Sequence, residues 1–395
     1  MNSDHVKKML KLLLVFTTIF LAACASKPSL KIKNNYSEND LFNDSLFGQP
    51  PKIISLDEVF FLTEEQKKDF LKQFHSNALR GYTDSQRIFM YLKNHLQNFN
   101  FHSETLNASD SLALNSGNCM SLAILTKALS QLTHAGIQYE LARTPPVFQR
   151  EGNFELSSQH IRTVVFNKNT NFTKQFIKPN NKIKIDYFST AGSRTLRTVS
   201  KEEFYSLYYS NRAAEAMIRN DYNDAYWHIK EALKIKRDNL IAINILGVLY
   251  QQLNQLDYAE RAYRYGLAFG FDQLELLNNY HNFLVHTNRQ DEALLIAQEL
   301  TNYNDPDPFK WLDLADQEFK KGNYRKSIKL YEKAAEKADY LHQPYAGIAK
   351  ANFMLGRNEL AFKSMEMALA NAHTQQATSI YQAKFEYMKS HAKTN

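Results

Sequence analysis

The feature that most constrains this chain is a self-similarity at a spacing of 34 residues across its second half. Ala213, Gly247, His281, Ala315 and Ala349 share one phase. Ala225, Ala259, Ala293, Ser327 and Ala361 share a second, and Ala232, Gly266, Leu300, Ala334 and Ala368 a third. Tyr263 and Tyr331 sit in a fourth, where a large ring packs between helices. Small residues recurring at one period mark places where two helices cross closely, and a period of this size suits a helix–turn–helix unit stacked on copies of itself. No proline interrupts the pattern between Lys201 and Pro306. Polar turns at Asn220-Asp221-Tyr222-Asn223, Gln255-Leu256-Asp257 and Gly322-Asn323-Tyr324 each open a second helix. The spacing predicts helix pairs from about Ser206 to Gln375 and a closing helix over about 376–391. His281 and Leu300 break the small-residue rule, so the third pair is expected to be the least regular.

These phases resemble the tetratricopeptide repeat, in five copies. The resemblance implies an all-α solenoid over 201–395 whose groove binds a protein or peptide partner. Its first helices are expected to present Asn244, Asn278 and Asn282, with Gln251 and Gln252, because amide side chains can hydrogen-bond a peptide backbone without demanding a particular side chain. The many aromatic residues of this half are expected to be core.

The chain opens differently. Lys7, Lys8 and Lys11 precede an apolar run from Leu12 to Leu21, which ends in Leu21-Ala22-Ala23-Cys24. A basic start, a short apolar stretch and small residues before a cut site read as an export signal over 1–23, too short to span a bilayer comfortably. The ending resembles the lipobox of bacterial lipoproteins. That resemblance implies lipidation of Cys24, with Ala25 behind it favouring the outer membrane and a periplasm-facing protein. Loss of the signal takes the net charge from +7 to +5, and no basic block reads as a nucleic-acid site. Residues 24–51, rich in Ser, Lys, Asn and Asp, read as a flexible tether closed by Pro50-Pro51.

With Cys24 acylated, Cys119 is the one free thiol and has no partner for a disulfide. It follows Gly117 and Asn118 and precedes the periodic run Leu122, Leu125, Leu129, Leu132, so it is expected at the first turn of a helix. The helix dipole there lowers a thiol pKa and favours thiolate. His160 opens a β-branched run ending at Phe166, and Asp186 closes Lys182-Ile183-Lys184-Ile185. Cysteine on a helix, then histidine on one strand and aspartate on the next, supplies a nucleophile, its base and the base's orienter. Around them the sequence predicts helices from Thr63 to about Ser76, over Asp84–Leu96 and Ala108–Leu114, and from Cys119 to about His134. A strand over Ile137–Thr144 is expected to be stopped by Pro145-Pro146, with a polar loop from Gln149 to Gln159 and a polar excursion from Asn167 to Asn181. Helices first and strands after, over 52–200, read as α+β.

Leu114 to Ala123, Gln159-His160-Ile161 and Ile185-Asp186-Tyr187 resemble the cysteine helix and the histidine and aspartate strands of the transglutaminase-like superfamily. The resemblance implies a papain-like fold and amide chemistry by a peptidase, amidase or acyl transferase, with Cys119 as nucleophile, His160 as base and Asp186 as orienter. The closest likeness is to bacterial lipoproteins that join such a domain to tetratricopeptide repeats. It departs from the superfamily at Arg162, where an aromatic often stands, and in a long His-to-Asp spacing. No metal or cofactor is expected. The alternative reading is a non-catalytic lipoprotein scaffold for envelope protein assembly, in which the repeats hold a protein.

Overall fold

The computed structural model describes residues 36–101, 104–151, 154–168, 182–186, 194–270, 273–301, 303, 306–372 and 374–392. The export signal, Cys24 and residues 169–181 of the polar excursion lie outside them. The chain divides into two compact units, residues 44–245 with 305–395, and residues 1–43 with 246–304. The expected boundary at 200/201 falls inside the larger unit.

In the larger unit, α1 (Leu56–Val59), α2 (Glu64–Phe74) and α3 (Asp84–His95) each start at a capping box. For α2 and α3 the hydroxyls of Thr63 and Thr83 accept the amides of Gln66 and Gln86, whose side chains accept the threonine amides in return. Then α4 (Ala108–Leu114) and α5 (Cys119–Gln131) lead into the strands. A two-residue parallel pair joins β1 (Asn100–Phe101) to β2 (Ser116–Gly117). The main sheet is antiparallel in the order β5-β4-β3-β6, from β3 (Ala135–Glu151), β4 (Phe154–Asn167), β5 (Lys182–Ile185) and β6 (Arg194–Val199). Gly136 sits where the Phe166 ring leaves no room for a Cβ, which would lie 2.4 Å from it. The core of this part holds Phe70, Ile88, Leu92, Ile124, Leu125, Leu129 and Val165, all fully buried.

The structure corrects two strand expectations. The prolines do not end β3. Pro145-Pro146 fall in a register shift between Ala142 and Val147, where the ladder asks nothing of a missing N–H, and the strand continues to Glu151. The stretch expected as a loop from Gln149 is instead a long hairpin, so His160 lies within β4 rather than at its start. The hairpin is held to the later helices: Arg150 makes two bonds to the Asp313 carboxylate, at 2.8 and 2.9 Å, and lies 4.4 Å over the buried Phe309 ring.

Five helix pairs and a closing helix follow among the described residues: α6 (Lys201–Ile218) with α7 (Tyr222–Ile235), α8 (Leu240–Gln252) with α9 (Leu256–Leu267), α10 (Leu274–His286) with α11 (Gln290–Leu300), α12 (Phe309–Lys320) with α13 (Tyr324–Lys337), α14 (His342–Met354) with α15 (Asn358–Ala370), and α16 (Gln375–Ser390). The second half is thus an all-α repeat. The turn inside every pair is the same. Asn220, Asn254, Asn288, Gly322 and Gly356 adopt positive φ. The next residue's amide reaches back to a carbonyl five residues earlier: Asp221 to Ala216, Gln255 to Tyr250, Arg289 to Leu284, Asn323 to Glu318 and Arg357 to Asn352. This closure needs one left-handed residue, which asparagine and glycine adopt at least cost. The small-residue phases are core. Ala213, Ala225, Ala232, Ala315, Ser327, Ala334, Ala349, Ala361 and Ala368 are fully buried. His281 and Leu300 remain partly exposed.

Within the larger unit α6 also packs on the sheet, where Phe204 stacks on Tyr139 with centroids 3.7 Å apart and planes 2° from parallel. In the smaller unit Gly247 lets α8 approach α9, since a Cβ there would meet the Tyr263 ring at 2.4 Å.

The tether expectation is corrected over 36–51, which is ordered. In the smaller unit Leu41 is fully buried and its carbonyl accepts the Tyr250 hydroxyl at 2.9 Å. In the larger, Phe47 stacks on Tyr226 at 3.7 Å, while the Asp44 carboxylate accepts the Tyr226 hydroxyl at 2.6 Å and Lys230 at 2.7 Å. The Trp227 indole N–H donates to the Gly48 carbonyl at 3.2 Å. Average polarity concealed Leu41 and Phe47, and anchoring a short strap takes only a few such side chains.

Candidate functional site

The turn before Cys119 is built residue by residue. Asn115 takes φ 47° and ends α4. Ser116 and Gly117 pair with β1. Gly117 has φ 135°, and a Cβ there would lie 2.6 Å from the Ser121 side chain. Asn118 caps α5: its Oδ1 accepts the Ser121 amide at 3.0 Å, and Ser121 Oγ accepts the Asn118 amide at 3.2 Å. Asn118 Nδ2 also donates to Thr105 Oγ1 at 2.7 Å, a hydroxyl that Asn211 of α6 reaches at 3.3 Å. Cys119 is therefore the first residue of a well-capped helix, as its sequence context predicts.

Register brings the partners together. Ile185 pairs with Thr163, so Asp186 continues the strand beside Arg162, and Arg162 pairs with Glu140 on the other side. His160 and Arg162, two residues apart, share a face. The His160 Nε2–H donates to Asp186 Oδ1 at 2.7 Å, with the two side chains 10% and 8% exposed. In the neutral ring that bond places the proton on Nε2 and makes Nδ1 the acceptor nitrogen. Cys119, His160 and Asp186 line one cavity with Leu122, Ala123, Thr126, Ile161, Arg162, Thr163 and Ile185. Its volume is about 10 Å³, room for a single water.

The electrostatics correct one expectation. The Cys119 thiol is held up rather than down. Burial is the largest cause, and the Asp186 charge adds to it. The backbone N–H groups of Ile161, Met120 and Cys119 pull the other way and do not offset it. The helix N-terminus is present and the residue is partly exposed, but desolvation of a thiolate outweighs the dipole. Sulfur in this state is a thiol that needs a base.

Around Asp186 lies a buried charged row that sequence reading missed. The Arg162 guanidinium meets Asp186 at 3.3 Å, Glu140 at 3.2 Å and Thr195 Oγ1 at 2.6 Å. Thr195 Oγ1 donates to Glu140 at 2.7 Å, and Lys184 approaches the same carboxylate at 3.3 Å. The Thr195 hydroxyl and these cations hold the Glu140 carboxyl below its ordinary pKa against the opposing effect of burial, the largest single influence. The signal was an arginine inside an apolar strand pattern, in register with a glutamate.

The repeat residues named from sequence are only partly assembled. Asn278 and Asn282 lie one turn apart on α10, half-buried and exposed respectively. Asn244 is half-buried on α8. Gln251 is engaged internally, accepting the Tyr263 hydroxyl. Among the described residues no group of His, Cys, Asp and Glu is placed to hold a metal ion, and no helix is long and apolar enough to cross a membrane.

No protein-family model matches the chain. Among curated proteins, the human Superkiller complex protein 3 is 32% identical over 108 residues, which is 26% of this chain and 7% of that protein. Similar solved structures include YrrB, described as a TPR protein with an unusual peptide-binding site (15% identity, TM-score 0.26, 47% of this chain and 94% of that one). PilF of Pseudomonas aeruginosa is 17% identical with TM-score 0.33, over 49% and 95% of the two chains. Yeast Tom70 is 19% identical with TM-score 0.38, over 49% and 44%.

Proposed function

We propose that this chain is a helical-repeat protein that holds a protein or peptide partner, and that its α+β part, transglutaminase-like by resemblance, carries a thiol site for amide-bond chemistry. The repeated helix pairs support the first half of the reading. The second half rests on the convergence of Cys119, His160 and Asp186 on one cavity, with imidazole and carboxylate 2.7 Å apart. In this reading His160 Nδ1 takes the thiol proton as sulfur attacks an amide carbonyl carbon. The proton passes to the leaving nitrogen as the C–N bond breaks, and water or an amine then takes the acyl group from the thioester. Asp186 orients the ring and supports the imidazolium. We assign the protein to the bacterial cell envelope, anchored to the outer membrane through a lipidated Cys24, on the motif Leu21-Ala22-Ala23-Cys24.

A second reading is a scaffold whose cysteine is inert. The raised thiol favours it, and the cavity beside the sulfur has room for a single water. Alkylation separates the two. Iodoacetamide labelling of Cys119, followed by mass spectrometry from pH 6 to pH 10, should run at least tenfold faster at neutral pH in wild type than in His160→Ala. Equal rates in the two proteins, rising only in the range of an ordinary thiol or above it, would leave the scaffold.

A further inference from the structure

We propose that Arg162 is the positioning residue of the His160–Asp186 pair, holding the carboxylate so that one oxygen stays turned to the imidazole. The inference rests on reading Cys119, His160 and Asp186 as a thiol site, and it adds a residue to that site. A carboxylate bonded only through Oδ1 is free to rotate about its last torsion, where the wells are broad. Here the second oxygen is occupied as well: Arg162 Nη1 lies 3.3 Å from Oδ2 while His160 Nε2 holds Oδ1. The guanidinium is itself fixed, with Nε on Glu140 at 3.2 Å and Nη2 on Thr195 at 2.6 Å, and its side chain is 3% exposed. A planar fork with donors on three edges can set the plane of a neighbouring carboxylate, which a single ammonium cannot do.

Stability alone is a poor reason for such a row. Buried ion pairs seldom stabilise a fold better than well-packed apolar residues of the same volume. The flanking positions Ile161, Val164 and Val165 show that this strand accepts aliphatic side chains where packing is all that is asked. Charge placement agrees. Glu140 takes Arg162, Lys184 and Thr195, so Arg162 is shared between two carboxylates and does not cancel Asp186 alone. Asp186 thus keeps charge to direct at His160 while its geometry is set from behind.

The readout is the tautomer of the neutral His160 ring by nitrogen NMR. The signal is picked out from those of the 12 histidines by its absence in His160→Ala. Wild type should show one form, protonated on Nε2. Arg162→Met should show a mixture of the two forms, together with roughly tenfold slower alkylation of Cys119 at neutral pH. In an Asp186→Asn background Arg162→Met should add nothing, because it acts through that carboxylate. Should Arg162→Met not fold, Thr195→Val removes one brace of the guanidinium from an exposed residue and should move both readouts the same way, by less. An unchanged tautomer and rate in the folded variant, or an equal loss with and without Asp186, would overturn the proposal. If His160→Ala is alkylated as fast as wild type, the thiol-site reading fails on its own, and the tautomer still decides the role of Arg162.

Discussion

Replacing Gly117 with alanine probes the turn that delivers Cys119. Two costs add. At φ 135° an L-residue is strained, by about 1–3 kcal/mol. The new methyl would also lie 2.6 Å from both Cβ and Oγ of Ser121, and overpacking of this kind costs about 1–3 kcal/mol. Ser121 cannot yield easily. It is fully buried, and its Oγ accepts the amides of Asn118 at 3.2 Å and Leu106 at 2.8 Å. Turning it away would break bonds worth about 1 kcal/mol each. Together the two costs put about 2–6 kcal/mol on the start of α5. Hydrogen–deuterium exchange over 119–131 measures the opening free energy there, and about 3 kcal/mol within that range corresponds to roughly hundredfold faster exchange. In a Ser121→Gly background the contact disappears but the backbone strain stays, so the added cost of the alanine should fall to the strain alone, about 1–3 kcal/mol. An exchange rate within threefold of wild type would refute both the left-handed turn and the crowding that this estimate rests on.

Leu41→Ala should cost about 3 kcal/mol, since it truncates a fully buried leucine, and should open residues 36–43 to protease; equal resistance in both proteins would contradict the ordered segment. Gly347→Ala places a methyl 2.5 Å from the Tyr331 ring and should lower stability by about 1–3 kcal/mol, most of it recovered by Tyr331→Leu, and a neutral result would mean the helices do not cross there. The raised Cys119 thiol binds its proton more tightly in the folded state, so its contribution is whole below the unfolded value of about 8.5 and is lost as pH climbs through the folded one. The melting curve of Cys119→Ala should therefore decline less than wild type between pH 8 and pH 10, and parallel declines would argue against the buried thiol.

Much of this protein is written locally. The helix caps at Thr63, Thr83 and Asn118 depend on a side chain and an amide three residues apart, so sequence alone specified them. The repeat was legible because each copy makes the same close crossing, and only small residues survive there. The same period carries Asn220, Asn254, Asn288, Gly322 and Gly356, whose left-handed turns close each pair. The order Cys119, His160, Asp186 could also be read, since each lies on an element with a local signature.

What the tertiary structure decided depends on distance through space. The raised state of Cys119 comes from what surrounds the sulfur, and a helix N-terminus in the sequence says nothing of how much water is left beside it. The bulge at Pro145-Pro146 exists because a partner strand continues past them. The strap over 36–51 is ordered by Tyr226 and Tyr250, some 180 to 210 positions away, which composition cannot weigh. Arg162 looked like a charged residue in the wrong place. Strand register put Glu140 on one side of it and Asp186 on the other, and register is a property of paired strands that no single strand carries.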